Sequence, residues 1–237
     1  MAGRARSGCA GVIATVAILA LVISGVIAVS PVVDFADVRR TVLTHDRLDG
    51  VPGSGGEGYT YLATTRSGAP VTWACEAVIE VEVNPQGAPE GYEELVTSAF
   101  ATVNEASSFT FEIVGETEDR QFFDRRPGPV LLGWADEEEV PDLAGPVAGL
   151  GGSSYVTGHG GAVAVSGTVV IDTDLPRGWF RGMDEEAVLV HELLHVLGLG
   201  HTERRGELMQ ARHHGQSELG EGDLTGLAAL ERHACHE

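Results

Sequence analysis

Hydrophobic and polar residues alternate with two different periods along the chain, one typical of strands and one typical of helices. Residues 78–84 and 109–114 alternate between apolar and polar positions, as half-buried strands do. Residues 129–134 and 167–172 are short apolar runs that also predict strands. Between residues 90 and 106, apolar side chains recur at the spacing of an amphipathic helix. They are Tyr92, Leu95, Val96, Ala99, Phe100 and Val103.

Two further helices are predicted in the C-terminal third of the chain. Asp184 is a favourable helix cap, and the helix that follows it is expected to run through His195 and to end at Gly198. The last helix is expected to begin at Asp223. Residues 141–168 are rich in Gly, Ser and Pro and show little periodicity, so they are predicted to form one or two long loops.

Residues 1–33 are predicted to be an N-terminal membrane anchor. Residues 7–33 contain no charged side chain, and residues 11–29 are almost wholly apolar, close to the roughly 20 residues that span a bilayer. The two arginines that precede this run predict that the N-terminus stays in the cytoplasm. A cleaved signal peptide is the alternative. Both interpretations predict that the rest of the chain lies outside the cytoplasm.

The remaining 200 or so residues are enough for one domain with its own core. Residues 34–69 are polar and glycine-rich and are predicted to be a spacer. Residues 70–237 are predicted to form the folded domain, and the protein is expected to be a monomer. The formal net charge is −20 at pH 7. Because so acidic a surface repels phosphate groups, nucleic-acid binding is not expected.

The chain contains three cysteines, one of which, Cys9, opens the apolar N-terminal run. Cys75 and Cys235 remain as an even pair in a compartment expected to be oxidising, which predicts one disulfide between the start and the end of the domain. The alternative is a pair of buried free thiols.

A cluster of histidines on the second predicted helix carries the strongest chemical signal. His191 and His195 are four residues apart, so their imidazoles project from one helix face and both reach one metal ion. Glu192 lies on the flank of that face, where its carboxylate is placed to act on water as a general base. Because Gly198 ends the helix, the chain can turn back and bring His201 in as a third ligand.

This ligand set favours a catalytic zinc ion. Three neutral nitrogen donors leave one tetrahedral position open for water, whereas structural zinc sites use four protein ligands. The pattern HExxHxxGxxH is expected by chance only about 10⁻⁴ times in a chain of this composition. The competing interpretation is a polar helix with incidental histidines. It is disfavoured because the surrounding leucines make the segment apolar, and unpaired buried polar groups cost several kcal/mol.

Residues 191–201 (HELLHVLGLGH) and the methionine Met209 in the sequence Glu-Leu-Met-Gln resemble the metzincin clan of zinc peptidases. Within this clan the chain looks most like the matrixins, and its layout is similar to small bacterial matrixin-like proteins. Residues 167–174 (GTVVIDTD) resemble the strand before the active-site helix, and residues 222–230 (GDLTGLAAL) resemble the final helix. The resemblance covers about residues 70–235.

The resemblance implies an α+β fold with a twisted, mostly parallel sheet of about five strands and two packed helices. A zinc cleft would lie beneath the edge strand, and a third helix would form a small C-terminal subdomain. Glu192 would be the general base, and Met209 would form the Met-turn beneath the zinc ligands. A peptide substrate would bind as an extended strand along residues 149–155, and residues 209–221 would wall a substrate pocket.

Other candidate ligands are weaker. His159 lies in a glycine-rich loop without the partners of a structural zinc site, so a surface position is expected. Asp172 and Asp174 have carboxylates that suit calcium, but turn residues at a strand end are the simpler interpretation. His213 and His214 fall in the predicted pocket loop.

Three functions are consistent with these residues. The leading hypothesis is a zinc endopeptidase that cleaves peptides outside the cytoplasm. The alternative is a surface-anchored binding or adhesion module that keeps zinc for structure only, although such a site needs no base like Glu192. Hydrolysis of a non-peptide amide would use the same residues and differ only in its substrate.

Overall fold

The computed structural model describes five stretches of the chain, residues 53–123, 127–158, 161–174, 184–212 and 215–236. The predicted anchor lies outside these described residues, and so do His159, His213 and His214. In the part of the chain that is described, no helix has both the length and the apolar character that crossing a bilayer requires.

The described residues contain eight strands, three α-helices and one short 3-10 helix at Pro141–Leu143. The strands are β1 (Gly53–Gly56), β2 (Tyr59–Tyr61), β3 (Val78–Val83), β4 (Thr110–Glu116), β5 (Val130–Ala135), β6 (Gly149–Gly158), β7 (Gly161–Asp172) and β8 (Leu199–Gly200). The helices are α1 (Tyr92–Ala106), α2 (Glu185–Leu197) and α3 (Glu221–His236).

Five of the strands form the main sheet in the order β4-β3-β5-β7-β6. The neighbours β3–β4, β3–β5 and β5–β7 are parallel, and only the edge strand β6 runs antiparallel to its neighbour β7. The predicted α+β class, with a mostly parallel sheet of five strands and three helices, is therefore confirmed.

The alternating pattern of the sequence becomes the two faces of this sheet. In β3 the side chains of Ile79, Val81 and Val83 are buried in the main core, which also contains the apolar faces of α1 and α2. All six residues of β5 are buried, because the other face of the sheet is covered by a second apolar cluster around Phe122 and Leu143. Helices on one face and loops on the other thus enclose the central strands.

The prediction of long loops across residues 141–168 is wrong, because this stretch contains β6 and most of β7. Glycine and serine have weak intrinsic preferences for strands, so residue propensities did not predict strands in this stretch. Close packing explains the choice of glycine, since a Cβ at Gly151 would lie 2.2 Å from the backbone oxygen of Glu192 on α2. The small residues let the edge strand cross tightly over the helix.

A second, smaller sheet joins the N-terminal hairpin, residues 53–61, to the segment after α2. Its order is β1-β2-β8, with antiparallel pairing throughout. The sequence placed residues 53–61 in a spacer, but in the structure they are strands packed on the domain, and Tyr59 and Tyr61 contact the main core. The folded unit thus includes residues that precede the predicted boundary at residue 70.

The segment after this hairpin binds the carbonyl groups at the end of α2. The hydroxyl of Thr72 donates a hydrogen bond to the carbonyl of Leu197 at 2.8 Å, and the indole N–H of Trp73 donates to the carbonyl of Val196 at 2.9 Å. The final carbonyls of a helix have no partner within the helix itself. These two side chains supply the missing donors and fix the end of α2 in place.

The predicted disulfide is confirmed, since the structure joins Cys75 to Cys235. Cys75 lies just before β3, and Cys235 lies in the last turn of α3. The bond therefore ties the segment that caps α2 to the C-terminal helix.

Two buried carboxylates link the turn around Met209 to the start of α3. Asp223 accepts hydrogen bonds from the backbone N–H groups of Leu208, Met209 and Gly220, at 2.6, 3.2 and 2.8 Å. In the opposite direction, Glu207 accepts from the N–H groups of Gly222 and Asp223, at 2.7 and 3.2 Å. The pKa of Asp223 is raised above its ordinary value, chiefly by burial and also by the neighbouring Glu207. The three N–H donors oppose this shift and offset part of it.

Replacing both Cys75 and Cys235 by serine is expected to lower the free energy of unfolding by about 4 kcal/mol, because the bond joins residues 160 positions apart. Urea unfolding of the full chain measures the change. The matched control is Cys9→Ser, which alters a cysteine outside the bond. A loss below about 1 kcal/mol in the double variant would contradict this account.

The variant Asp223→Asn is expected to lower the free energy of unfolding by about 2 kcal/mol, because an amide NH₂ would face a backbone donor in a buried site. Urea unfolding with metal removed gives the measurement. Glu221→Gln is the matched control, since Glu221 is 89% exposed at the start of the same helix. Equal stability of the two variants would show that the buried carboxylate contributes nothing specific.

Candidate metal centre

The helix α2 and its C-terminal turn bring three imidazoles together. His191 and His195 lie one turn apart on α2, and Gly198 ends the helix with a φ of 116°, a conformation that favours glycine. The next two residues form β8, and the chain then presents His201 to the helix. The Nε2 atom of His201 is 3.0 Å from that of His191 and 3.2 Å from that of His195.

Backbone carbonyls fix the hydrogen positions on two of these rings. The Nδ1 atom of His191 lies 2.8 Å from the carbonyl oxygen of Leu208, and that of His195 lies 2.7 Å from the carbonyl oxygen of Leu199. Because a carbonyl oxygen only accepts, each Nδ1 must carry the hydrogen and donate it. In the neutral ring this leaves Nε2 with a lone pair, which is the form that ligates a metal.

The environment of His195 favours its neutral ring over the charged one. His195 is buried, and this burial lowers the pKa of its imidazole well below the ordinary value, with further lowering by His201 and His191. A second positive charge beside the first would be unfavourable in so confined a space. His195 is therefore held in the neutral state that binds a cation.

The donor set fits a zinc ion. Nitrogen ligands at 2.0–2.1 Å from a tetrahedral zinc ion lie about 3.3 Å from one another, close to the Nε2 separations of 3.0 and 3.2 Å. All three donor atoms lie within 4.8 Å of one another. Among the residues that the structure describes, these three histidines form the one group of three or more convergent ligand atoms. They are the residues that would hold the metal.

Glu192 lies next to His191 on α2 and is 6% exposed. Its side chain is directed against the edge strand, since a Cβ at Gly149 of β6 would lie 3.0 Å from its Cγ and 3.1 Å from its Oε1. The carboxylate is thus packed between the helix and the strand. Sequence reasoning missed this role of Gly149, although the repeated glycines at the start of β6 were the available signal.

Met209 is 1% exposed and belongs to the main core, together with α2. The residue before it, Leu208, supplies the carbonyl that binds His191. The carbonyl of Met209 accepts a hydrogen bond from the N–H of Thr202, the residue after His201, at 2.9 Å. The turn therefore contacts the chain on both sides of the cluster.

Asp172 and Asp174, the weaker candidates that the structure describes, are not part of this cluster. Asp172 is buried at the end of β7, and its Oδ1 accepts a hydrogen bond from the N–H of Asp174 at 2.9 Å. Burial raises the pKa of Asp172. The contact is that of a turn residue, and a calcium site is not shown.

Comparison with known proteins identifies the family. The family model for matrixin, a peptidase family, matches residues 79–231, which include both main helices of the core and the whole histidine cluster. A search of curated proteins gives no match. The match covers well over half of the 237 residues. The chain therefore belongs to the matrixin family of metallopeptidases, and its three histidines form a cluster that fits a zinc site.

Proposed function

We propose that the protein is a zinc-dependent endopeptidase that acts outside the cytoplasm, with His191, His195 and His201 as the metal ligands and Glu192 as the general base. The observation that carries this proposal is the convergence of three imidazole Nε2 atoms, together with a buried carboxylate on Glu192, the residue that follows the ligand His191. A structural zinc site would be expected to use a fourth protein ligand and would need no base.

Each residue has a distinct task in this proposal. A bound zinc ion supplies a Lewis acid that lowers the pKa of water and polarises a peptide carbonyl. The carbonyls of Leu208 and Leu199 keep the rings of His191 and His195 oriented. Glu192 accepts the proton of the attacking water and then donates it to the leaving amine. Packing against β6 restricts this carboxylate to a few conformations.

The edge strand is the proposed binding place for substrate. In the described part of the main sheet, β6 has β7 as its only neighbouring strand, so its other edge is not paired with a strand there. An extended peptide can add to such an edge through backbone hydrogen bonds. Residues 149–155 of β6 start directly over Glu192, which brings a peptide bound there to the carboxylate. Binding through the backbone suits cleavage within a chain.

The disulfide supports a location outside the cytoplasm, because such bonds persist in oxidising compartments. The N-terminal anchor, residues 1–33, remains a prediction from the sequence. The division into anchor, spacer and catalytic domain is likewise a proposal, with residues 53–61 assigned to the folded part.

A binding module without catalysis and an amidase for non-peptide substrates remain the competing functions. The first would leave the buried carboxylate beside the histidines without a purpose. An amidase would use the same residues and would differ only in the substrate bound at the edge strand. Digestion of an unbiased peptide library separates both from the proposed endopeptidase.

The variant Glu192→Gln is expected to lower kcat/KM on the peptide library about 10³-fold, because general base catalysis contributes between 10² and 10⁴. Zinc content should be unchanged, since the amide leaves the three imidazoles in place. The matched control is Glu185→Gln, an exposed carboxylate on the same helix. Full activity in Glu192→Gln would disprove the assigned role.

Removal of metal is expected to abolish cleavage, and one equivalent of zinc per chain should restore it. In His201→Ala the affinity for zinc should fall by more than about 100-fold, beyond the usual effect of losing an outer-shell partner. Competition with a fluorescent chelator gives the affinity. His236→Ala is the control, because His236 is exposed on α3. Unchanged zinc affinity in His201→Ala would rule out this ligand set.

A further inference from the structure

The N-terminal hairpin is paired directly with the loop that carries the third histidine. Thr60 and Tyr61 of β2 pair with Gly200 and Leu199 of β8, respectively. In addition, the hydroxyl of Thr60 donates a hydrogen bond to the backbone carbonyl of His201 at 2.7 Å. Residues 141 positions apart in the chain are thus joined at the metal centre.

The strand β8 is the short link between the three imidazoles. It occupies the two positions between the helix cap Gly198 and His201. Its residue Leu199 also supplies the carbonyl that orients the ring of His195. A shift of β8 would therefore displace His201 and the carbonyl that orients the ring of His195, and β8 is paired with β2.

The strands β8 and β2 pack closely against each other. A Cβ at Gly200 would lie 2.7 Å from the hydroxyl of Thr60 and 2.9 Å from the carbonyl of Tyr61. The backbone N–H of Leu62 extends the pairing by donating to the carbonyl of Gly198 at 2.8 Å. Contacts from residues 60–62 thus reach each position from Gly198 to His201.

We propose that Thr60 is a positioning residue of the metal centre. Its hydroxyl holds the backbone of His201 so that the third imidazole meets the other two, and this raises the affinity of the site for a divalent metal ion. The inference deepens the proposed function and rests on its ligand set. It follows that the hairpin, residues 53–61, must remain in the active chain, so any processing has to cut before it.

The test compares full-length variants by their affinity for zinc, measured by chelator competition without substrate. Thr60→Val removes the hydroxyl at nearly constant volume and is expected to raise the zinc dissociation constant about tenfold, as loss of an outer-shell partner does. Thr60→Ser keeps the hydroxyl and should stay within about twofold of the wild type. The matched control is Thr97→Val, because Thr97 donates to Glu93 on the exposed side of α1.

Thermal unfolding of the metal-free variants separates positioning from general stability. If Thr60 positions the site, Thr60→Val should weaken zinc binding even where its metal-free unfolding temperature falls no more than that of Thr97→Val. The control Thr97→Val should leave zinc affinity unchanged. If Thr60→Val does not fold, Thr60→Ala removes the same hydroxyl without adding volume, and it must weaken zinc binding in the same way.

Three results would overturn the inference: zinc affinity in Thr60→Val equal to the wild type, equal weakening in Thr60→Ser and Thr60→Val, or tighter binding and higher activity in Thr60→Val. The last would indicate that the hairpin restrains the site. Because affinity is measured without substrate, a wild-type chain that binds zinc but cleaves no peptide would refute the proposed function while leaving this comparison valid.

Discussion

The Nε2 atom of His201 is held 3.0 and 3.2 Å from the Nε2 atoms of His191 and His195, both of which present their lone pairs. Such lone pairs repel one another unless a cation lies between them, so the chain has to supply the rigidity that keeps them together. Backbone carbonyls on Leu199 and Leu208 provide it by binding the opposite side of two rings. Because a metal ion binds the folded arrangement of these ligands, metal binding in turn stabilises the fold.

Elements from both ends of the chain hold α2 and the histidines in this arrangement. Thr72 and Trp73 fix the last turn of the helix, and β2 fixes the strand that leads to the third histidine. On the other side, Asp223 and Glu207 join the Met209 turn to α3. The disulfide connects these two supports covalently. A change that loosens either support is therefore expected to shift the ligand atoms, because backbone hydrogen bonds connect the support to them. No direct side-chain contact to the metal is needed for this effect.

Glycine allows the sheet to approach the same helix closely enough to form the site. The start of β6 crosses over Glu192, so that a Cβ at Gly151 would collide with the backbone of Glu192 and one at Gly149 would press tightly on its side chain. The antiparallel edge strand, the buried carboxylate and the histidines are thereby brought within one small region. The same closeness explains why this part of the sequence resembles a loop, since the residues are chosen for their size and not for strand preference.

The sequence by itself determined the features that depend on near neighbours: the strands with alternating residues, the capped helices, and the spacing that puts His191 and His195 on one helix face. Even the turn at Gly198 is local, because glycine tolerates its positive φ. Only the tertiary structure decided that residues 53–61 are part of the domain, that residues 149–158 and 161–168 are strands, and that Thr60 and Asp223 support the site. These contacts join residues up to 141 positions apart, and their energy comes from packing and hydrogen bonds that no short window of sequence contains.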